Sequence, residues 1–239
     1  RMKEYLKEGK KFIYITPFKN EIKRVLHELN NNRVYAPLDP DEEGAYELEQ
    51  KLIDENGQLD LNAKATYKLI NKRTQFLRLV GIGANIISSH ALFLGLKRED
   101  YELFNDYILI LDEVVAPLRC HRIGAFDINI LKEQGLIIID DNTNQVKFIN
   151  DKYNDPGFKH VKGLCNNSTV FYLDKYFFVW VFPIEIFRGF KEIQILTYLF
   201  EGSLLAPYFK IYDIKYNTVT EDNQELLNEF RRLLNIYSG

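Results

Sequence analysis

The stretch Tyr107-Ile-Leu-Ile-Leu-Asp-Glu113 constrains the fold more than any other part of the chain. Five apolar residues run on without polar alternation and stop at two adjacent carboxylates. Such a run fits a strand covered on both faces, as in a parallel sheet. The acids then fall at the C-terminal end of that strand, the edge at which open α/β sheets place their ligands. Taken alone, an Asp-Glu pair after a strand is more simply a charged turn, so its meaning depends on the rest of the chain.

A length of 239 residues allows one large domain or two small ones. A chain of this size buries roughly 70–75% of its extended surface, and 46% apolar residues supply a sizeable core. The net charge of −3 excludes a polycation, so any contact with nucleic acid must use a local patch or main-chain N–H groups. Cys120 and Cys165 form no disulfide framework, which points to a reduced, cytoplasmic setting. No run reaches transmembrane length and the first residues are charged rather than signal-like, so no membrane partner is expected.

Alternating patterns organise the first half. Lys11–Thr16 is a short apolar strand stopped by Pro17, and Asn20–Asn30 has helical spacing at Ile22, Val25, Leu26 and Leu29. Residues 34–43 read as an exposed connection. Helices are expected over Tyr46–Ile53 and over Asn62–Leu79, the latter bearing Lys64, Lys68, Lys72, Arg73 and Arg78. Ala84–His90 is a second strand that ends in small polar residues. Strand–helix alternation of this kind predicts an α/β fold with a central parallel sheet. The middle differs. A helix over Asp127–Gln134 and two hairpin patterns, Leu136–Ile139 with Val146–Ile149 and Val170–Leu173 with Phe177–Val181, mark residues 118–182 as an inserted α+β segment. Glu192–Leu196 returns to the strand pattern, with a helical turn at Leu204–Phe209 and a further strand expected at Ile211–Tyr216. Arg1–Glu8 reads as the end of a helix stopped by Gly9, and Asn223–Ile236 as a helix. The whole reads as one domain, residues 1–239, belonging to a longer protein.

Four segments then fall in a telling order: Tyr14-Ile-Thr-Pro17, Ile86-Ile-Ser-Ser-His90, Leu111-Asp-Glu-Val114 and Ile195-Leu-Thr-Tyr-Leu-Phe-Glu-Gly-Ser203. This order resembles the first motor domain of superfamily one and two helicases, a RecA-like P-loop NTPase core. It looks most like the helicase-like proteins of tailed phages of Gram-positive bacteria, which share the phrases around Trp180–Phe187 and Leu196–Gly202. The resemblance implies ATP and Mg2+ as cofactors. Nucleic acid, with DNA expected, and replication proteins would be its partners, in the host cytoplasm. By the same resemblance Asp112 holds magnesium through water and Glu113 polarises the attacking water. Thr16 and Pro17, and then Ser88, Ser89 and His90, touch nucleic-acid backbone, and Thr197 couples hydrolysis to strand movement.

One departure is large. Cradling phosphates takes a Gly-x-x-x-x-Gly-Lys-Ser/Thr loop, and none occurs in the 239 residues. Gly81-Ile-Gly83 lacks the lysine. In such motors the loop precedes the strand that carries Tyr14–Thr16, so it is expected upstream of Arg1, and this segment alone is expected not to hydrolyse ATP. Two rival readings stay open: a binding module with a degenerate motor fold, and the ATPase of a DNA-packaging terminase.

Each candidate also has a plainer reading. Pro17 can simply end a strand with Thr16 satisfying the turn. Ser89 can be a helix N-cap beside a partly exposed His90, which is compatible with phosphate contact because helix N-termini attract phosphate. Cys120-His121 and His160…Cys165 do not match zinc-site spacing, and read as a buried cysteine with surface histidines. The basic residues from Lys68 to Arg78 read as a solvated helix face. Trp180, Phe182, Phe187 and Phe190 read as core, and Asp140–Asn144 as a hairpin turn.

Overall fold

The computed structural model describes residues 1–31, 33–39, 71–150, 152–154, 156–167, 169–219 and 228–229. The helix expected over Tyr46–Ile53, most of that over Asn223–Ile236, and Lys64 and Lys68 lie outside the described residues.

Five strands, β1 (Lys11–Thr16), β2 (Val34–Tyr35), β3 (Asn85–Ser89), β4 (Tyr107–Asp112) and β10 (Glu192–Leu196), form one sheet in the order β10-β4-β1-β3-β2. Every pairing in it is parallel. The period of two along each strand splits the apolar residues between two cores. Ile13, Ile15, Ile86, Leu109 and Leu111 face one side, and Phe12, Tyr14, Ile87, Ile108 and Ile110 the other. Both faces are buried, which is why β4 can run from Tyr107 to Leu111 without polar alternation. Tyr107 starts that strand with its hydroxyl donating to the Val80 and Ala84 carbonyls, so its one polar atom is satisfied inside.

Helices α1 (Met2–Lys7) and α2 (Lys19–Leu29) cover the second face through Met2, Tyr5, Leu6, Ile22, Leu26 and Leu29. Gly9, at φ 66, follows α1, and Asn30, at φ 38, caps α2; both ends need the left-handed conformation these residues tolerate. The opposite face is covered by α3 (Lys72–Gly81) and by a 3-10 helix at Arg98–Phe104. Helix α3 begins later than the expected Asn62–Leu79. The Asn71 side chain accepts from the Thr74 N–H at 3.0 Å, so it starts a helix there rather than lying within one. Lys72 and Arg73 are not a loose cationic face: they pair with Asp39 and with the buried Asp100.

After β4 the chain leaves this sheet and returns only at β10. In between, β5 (Leu118–Arg122), β6 (Ile137–Ile139), β7 (Gln145–Phe148), β8 (Thr169–Asp174) and β9 (Phe177–Val181) form an antiparallel sheet in the order β5-β9-β8-β7-β6. It carries α5 (Ala125–Glu133) and α6 (Lys159–Asn167). Both hairpins expected from the sequence are present; β5 and α6 were not anticipated. Val170, Phe178 and Trp180 join the first face of the parallel sheet in one continuous core. The seam is aromatic: Phe93 (in α4, His90–Phe93) lies 5.2 Å from Phe182 and 5.7 Å from Phe187, and Phe104 stacks on Phe190 at 4.8 Å. Trp180, Phe182, Phe187 and Phe190 are therefore packing residues.

Helix α7 (Ile184–Gly189) leads into β10, and α8 (Leu205–Ile211) follows it. Pro207 fits because it sits in the first turn, where an N–H has no intrahelical acceptor. The strand expected at Ile211–Tyr216 does not form. The Ile214 N–H bonds back to Phe209 at 2.8 Å with Asp213 at φ 55, and Tyr216 packs on Phe200. Those apolar residues close a helix end instead of extending the sheet. Among the described residues no helix is long and apolar enough to cross a membrane.

Candidate functional site at the C-terminal edge of the parallel sheet

Parallel pairing brings the C-terminal ends of four strands to one edge. Ser89 of β3 is in register with Thr16 of β1, and Leu196 of β10 with Asp112 of β4. The Thr16 hydroxyl donates to Asp112 Oδ2 at 3.0 Å and joins the two halves into one row. The residues that follow, His90, Pro17, Glu113 and Thr197, make the next row outward. The Thr197 hydroxyl donates to Glu113 Oε2 at 2.8 Å. His90 Nε2 lies 3.0 Å from the Asp112 carbonyl oxygen, which can only accept, so Nε2 carries the proton.

The two acids differ in setting. Asp112 is half-buried and tied to β1. Glu113 is exposed, and its backbone is left-handed at φ 68. Its N–H bonds the Leu196 carbonyl at 2.9 Å, which continues the β4–β10 ladder one step past the strand. A side chain with a Cβ is strained in that conformation, and such strain concentrates where a side chain must be aimed. Here it aims the carboxylate at Thr197.

The surrounding groups are tuned by burial. Burial holds the His90 imidazole below its ordinary range, outweighing the Asp112 carbonyl and the nearby carboxylates, so the ring stays neutral at pH 7. The Tyr14 hydroxyl is pushed up, first by burial and then by its hydrogen bond to Asp112 and that carboxylate's charge. The strand-end motif alone does not mark Tyr14 as a partner of Asp112. Its parity with Thr16, two residues on, is what places it on the same face.

The structure brings Thr16, Pro17, Ser89, His90, Asp112, Glu113 and Thr197 to this edge. Ser88 is different: it is 3% exposed and in register with Ile15, so its side chain lies within the sheet and not at the surface. Thr16 is fully buried too, and its hydroxyl serves Asp112. Ser89 caps α4, its Oγ accepting from the Leu92 N–H at 3.3 Å. Pro17, Phe18, Tyr198 and Leu199 are exposed around the rim. Gly81-Ile-Gly83 lies at the opposite end. Ile82 and Gly83 line an 840 Å3 cleft at the N-terminal ends of the strands, so this segment cannot serve phosphates at the carboxylate edge. Among the described residues no group of three or more His, Cys, Asp or Glu side chains could hold a metal by itself. The donors at the edge are hard oxygens. They suit an ion such as magnesium, which takes one or two carboxylates and completes its shell with water and phosphate, and they do not suit zinc. Cys120 is exposed and Cys165 half-buried, its thiol pushed up to about 12 by burial. The buried cysteine expected from the sequence is thus met only in part, by Cys165.

These features define an α/β protein built on a five-stranded parallel sheet with an acidic pair at the C-terminal edge of that sheet. No protein-family model matches the chain, and no solved structure matches it. The chain is similar to the SPbeta prophage-derived uncharacterized protein YonV of Bacillus subtilis (strain 168), with 27% identity over 223 residues, covering 89% of this chain. It spans about half (48%) of that protein's length.

Proposed function

We propose that the chain is the first motor domain of a phage-encoded, nucleic-acid-dependent ATPase of the helicase type, with a RecA-like P-loop NTPase core and residues 118–182 inserted in it. One observation carries this reading. The acidic pair ends a strand flanked by β1 and β10, and each acid is hydrogen-bonded to the threonine at the end of a different neighbour, Asp112 to Thr16 and Glu113 to Thr197. A carboxylate that orients water needs a fixed direction, and a motor needs that carboxylate linked to a mobile element. Thr16 fixes Asp112. Thr197 links Glu113 to the exposed Tyr198–Leu199 turn. The similarity to a prophage-derived protein supports phage origin.

Magnesium, when bound with ATP, would neutralise the phosphates, and Asp112 would hold it through water. Glu113 would accept a proton from the attacking water while Thr197 senses its charge. His90, neutral and donating to the Asp112 carbonyl, holds the strand end in place. A phosphate loop, absent from these 239 residues, would come from a further segment of a longer protein. Among the described residues β10 pairs only with β4, so its outer edge has room for another strand.

The absence of that loop favours a second reading, a non-catalytic module that docks nucleic acid or a replication partner. In a longer protein that contains a Gly-Lys-Ser/Thr loop, Glu113→Gln should abolish ATP turnover and spare nucleotide binding. Undiminished turnover removes the catalytic assignment. If the natural protein has no such loop and binds no ATP, the module reading stands.

A further inference from the structure

A basic feature lies outside the acidic strand-end site. A 330 Å3 cleft runs between α4 and the segment after it, strands β5 and β9, and helix α6. Arg119, His121, His160 and Trp180 line it. Arg119 and His121 stand two apart on β5, opposite Trp180 and Phe178, so they project on one face of the sheet. His160 comes from the first turn of α6, whose N–H groups add partial positive charge. The Arg119 guanidinium lies 5.8 Å from the Trp180 ring centroid, which holds it against the cleft wall.

Arg24, Lys11, Lys72, Arg73 and Arg98 each have a carboxylate partner. Arg119, His121 and His160 form no ion pair with any described residue. The His121 imidazole is held low by burial first, then by the Arg119 and His160 charges, and no acid lines the cleft beside them. The Arg119 charge thus has no carboxylate beside it, and the two imidazoles add hydrogen-bond donors, a lining that suits an anion from outside in a protein of net charge −3. Ala91, the residue after His90, forms part of the same wall, so the cleft adjoins the strand-end site.

We infer that the cleft formed by Arg119, His121 and His160 binds a backbone phosphate of a single-stranded nucleic acid that continues past the Ser89–His90 edge onto the antiparallel sheet. The inference rests on the nucleic-acid reading above and gives the inserted segment a role within it. Contact is with phosphate rather than base, because Trp180 is buried and no open aromatic face lines the cleft. Sequence preference should therefore be weak.

Fluorescence anisotropy of labelled oligothymidine and oligouridine, titrated with the chain over a range of salt concentrations, tests it. Arg119→Glu and His160→Glu, both at exposed positions, should each weaken binding roughly tenfold, and Arg119→Glu should also flatten the salt slope by about one. Ile138→Ala, exposed on β6 at the far end of the antiparallel sheet from β5, should leave the salt slope unchanged, and circular dichroism confirms folding of each variant. Tighter binding of one oligonucleotide assigns DNA or RNA. If the wild type binds strand and both charge reversals bind as well as it does, the cleft is not on the path and this inference falls alone. If the wild type binds neither oligonucleotide, or only inorganic phosphate, the inference and the nucleic-acid reading fall together.

Discussion

Glycine at position 113 should give a more stable protein than alanine, although alanine is closer to the native side chain. The backbone there is at φ 68. A residue with a Cβ pays about 1–2 kcal/mol for left-handed geometry. Glycine escapes that strain but gives the unfolded chain more freedom, which costs about 0.4–1 kcal/mol. Both variants lose the Thr197–Glu113 hydrogen bond and keep the main-chain bond to Leu196, so these effects cancel in the comparison. The difference left is roughly 0.5–1 kcal/mol in favour of Glu113→Gly over Glu113→Ala. With a urea slope of about 2–3 kcal/mol/M, the midpoints should separate by about 0.2–0.5 M. Trp180, the single tryptophan, is buried at the seam between the sheets and reports unfolding by fluorescence. Equal midpoints, or a more stable alanine variant, would refute the claim that strain is held at the carboxylate. That result would also weaken the view that Glu113 is kept there for its chemistry.

Gly189→Ala should destabilise by about 1–3 kcal/mol, because overpacking against rigid backbone cannot relax cheaply. A Cβ at Gly189 would lie 2.3 Å from the Tyr101 carbonyl oxygen, where α7 crosses the 3-10 helix. A thermal midpoint equal to that of the wild type would show this contact to be looser than described. His90→Gln should flatten the acid limb of stability. The native imidazole is held below its ordinary pKa of 6.5, so the unfolded chain takes up the proton first. Stability is therefore full above about pH 6.5 and falls as pH drops toward the folded-state pKa. The variant loses His90's share of that slope, while His121, shifted in the same direction, keeps its own. Identical urea midpoints across pH 5–7 for variant and wild type would contradict the burial of His90.

Several features were legible because their causes are local. An unbroken apolar run cannot tolerate a wet face, so Tyr107–Leu111 announced a strand covered on both sides. Hairpins closed by Asp140–Asn144 and Asp174–Lys175 follow from alternation and turn residues. Ser89 ahead of an apolar turn is a cap wherever it occurs. Other features misled for the same local reasons. Ile211–Tyr216 has strand-like composition, yet its apolar residues found a nearer partner in Phe200 and Phe209 than any sheet edge. Nothing nearby in the chain marks Leu118–Arg122 as a strand, because it is largely exposed and polar and exists through its pairing with β9.

The chain by itself determined that two carboxylates end a buried strand, since hydrophobic periodicity and strand length are written residue by residue. Only the tertiary structure decided which strands lie beside that one. The order β10-β4-β1-β3-β2 sets Thr16 against Asp112, Thr197 against Glu113 and His90 against the Asp112 carbonyl. The same holds for Arg119, His121 and His160, which meet only because β5 pairs with β9 and α6 folds back onto the sheet. Strand formation is a property of neighbours in sequence. Strand pairing and helix docking join distant segments, and their register decides which hydroxyl or charge reaches its partner.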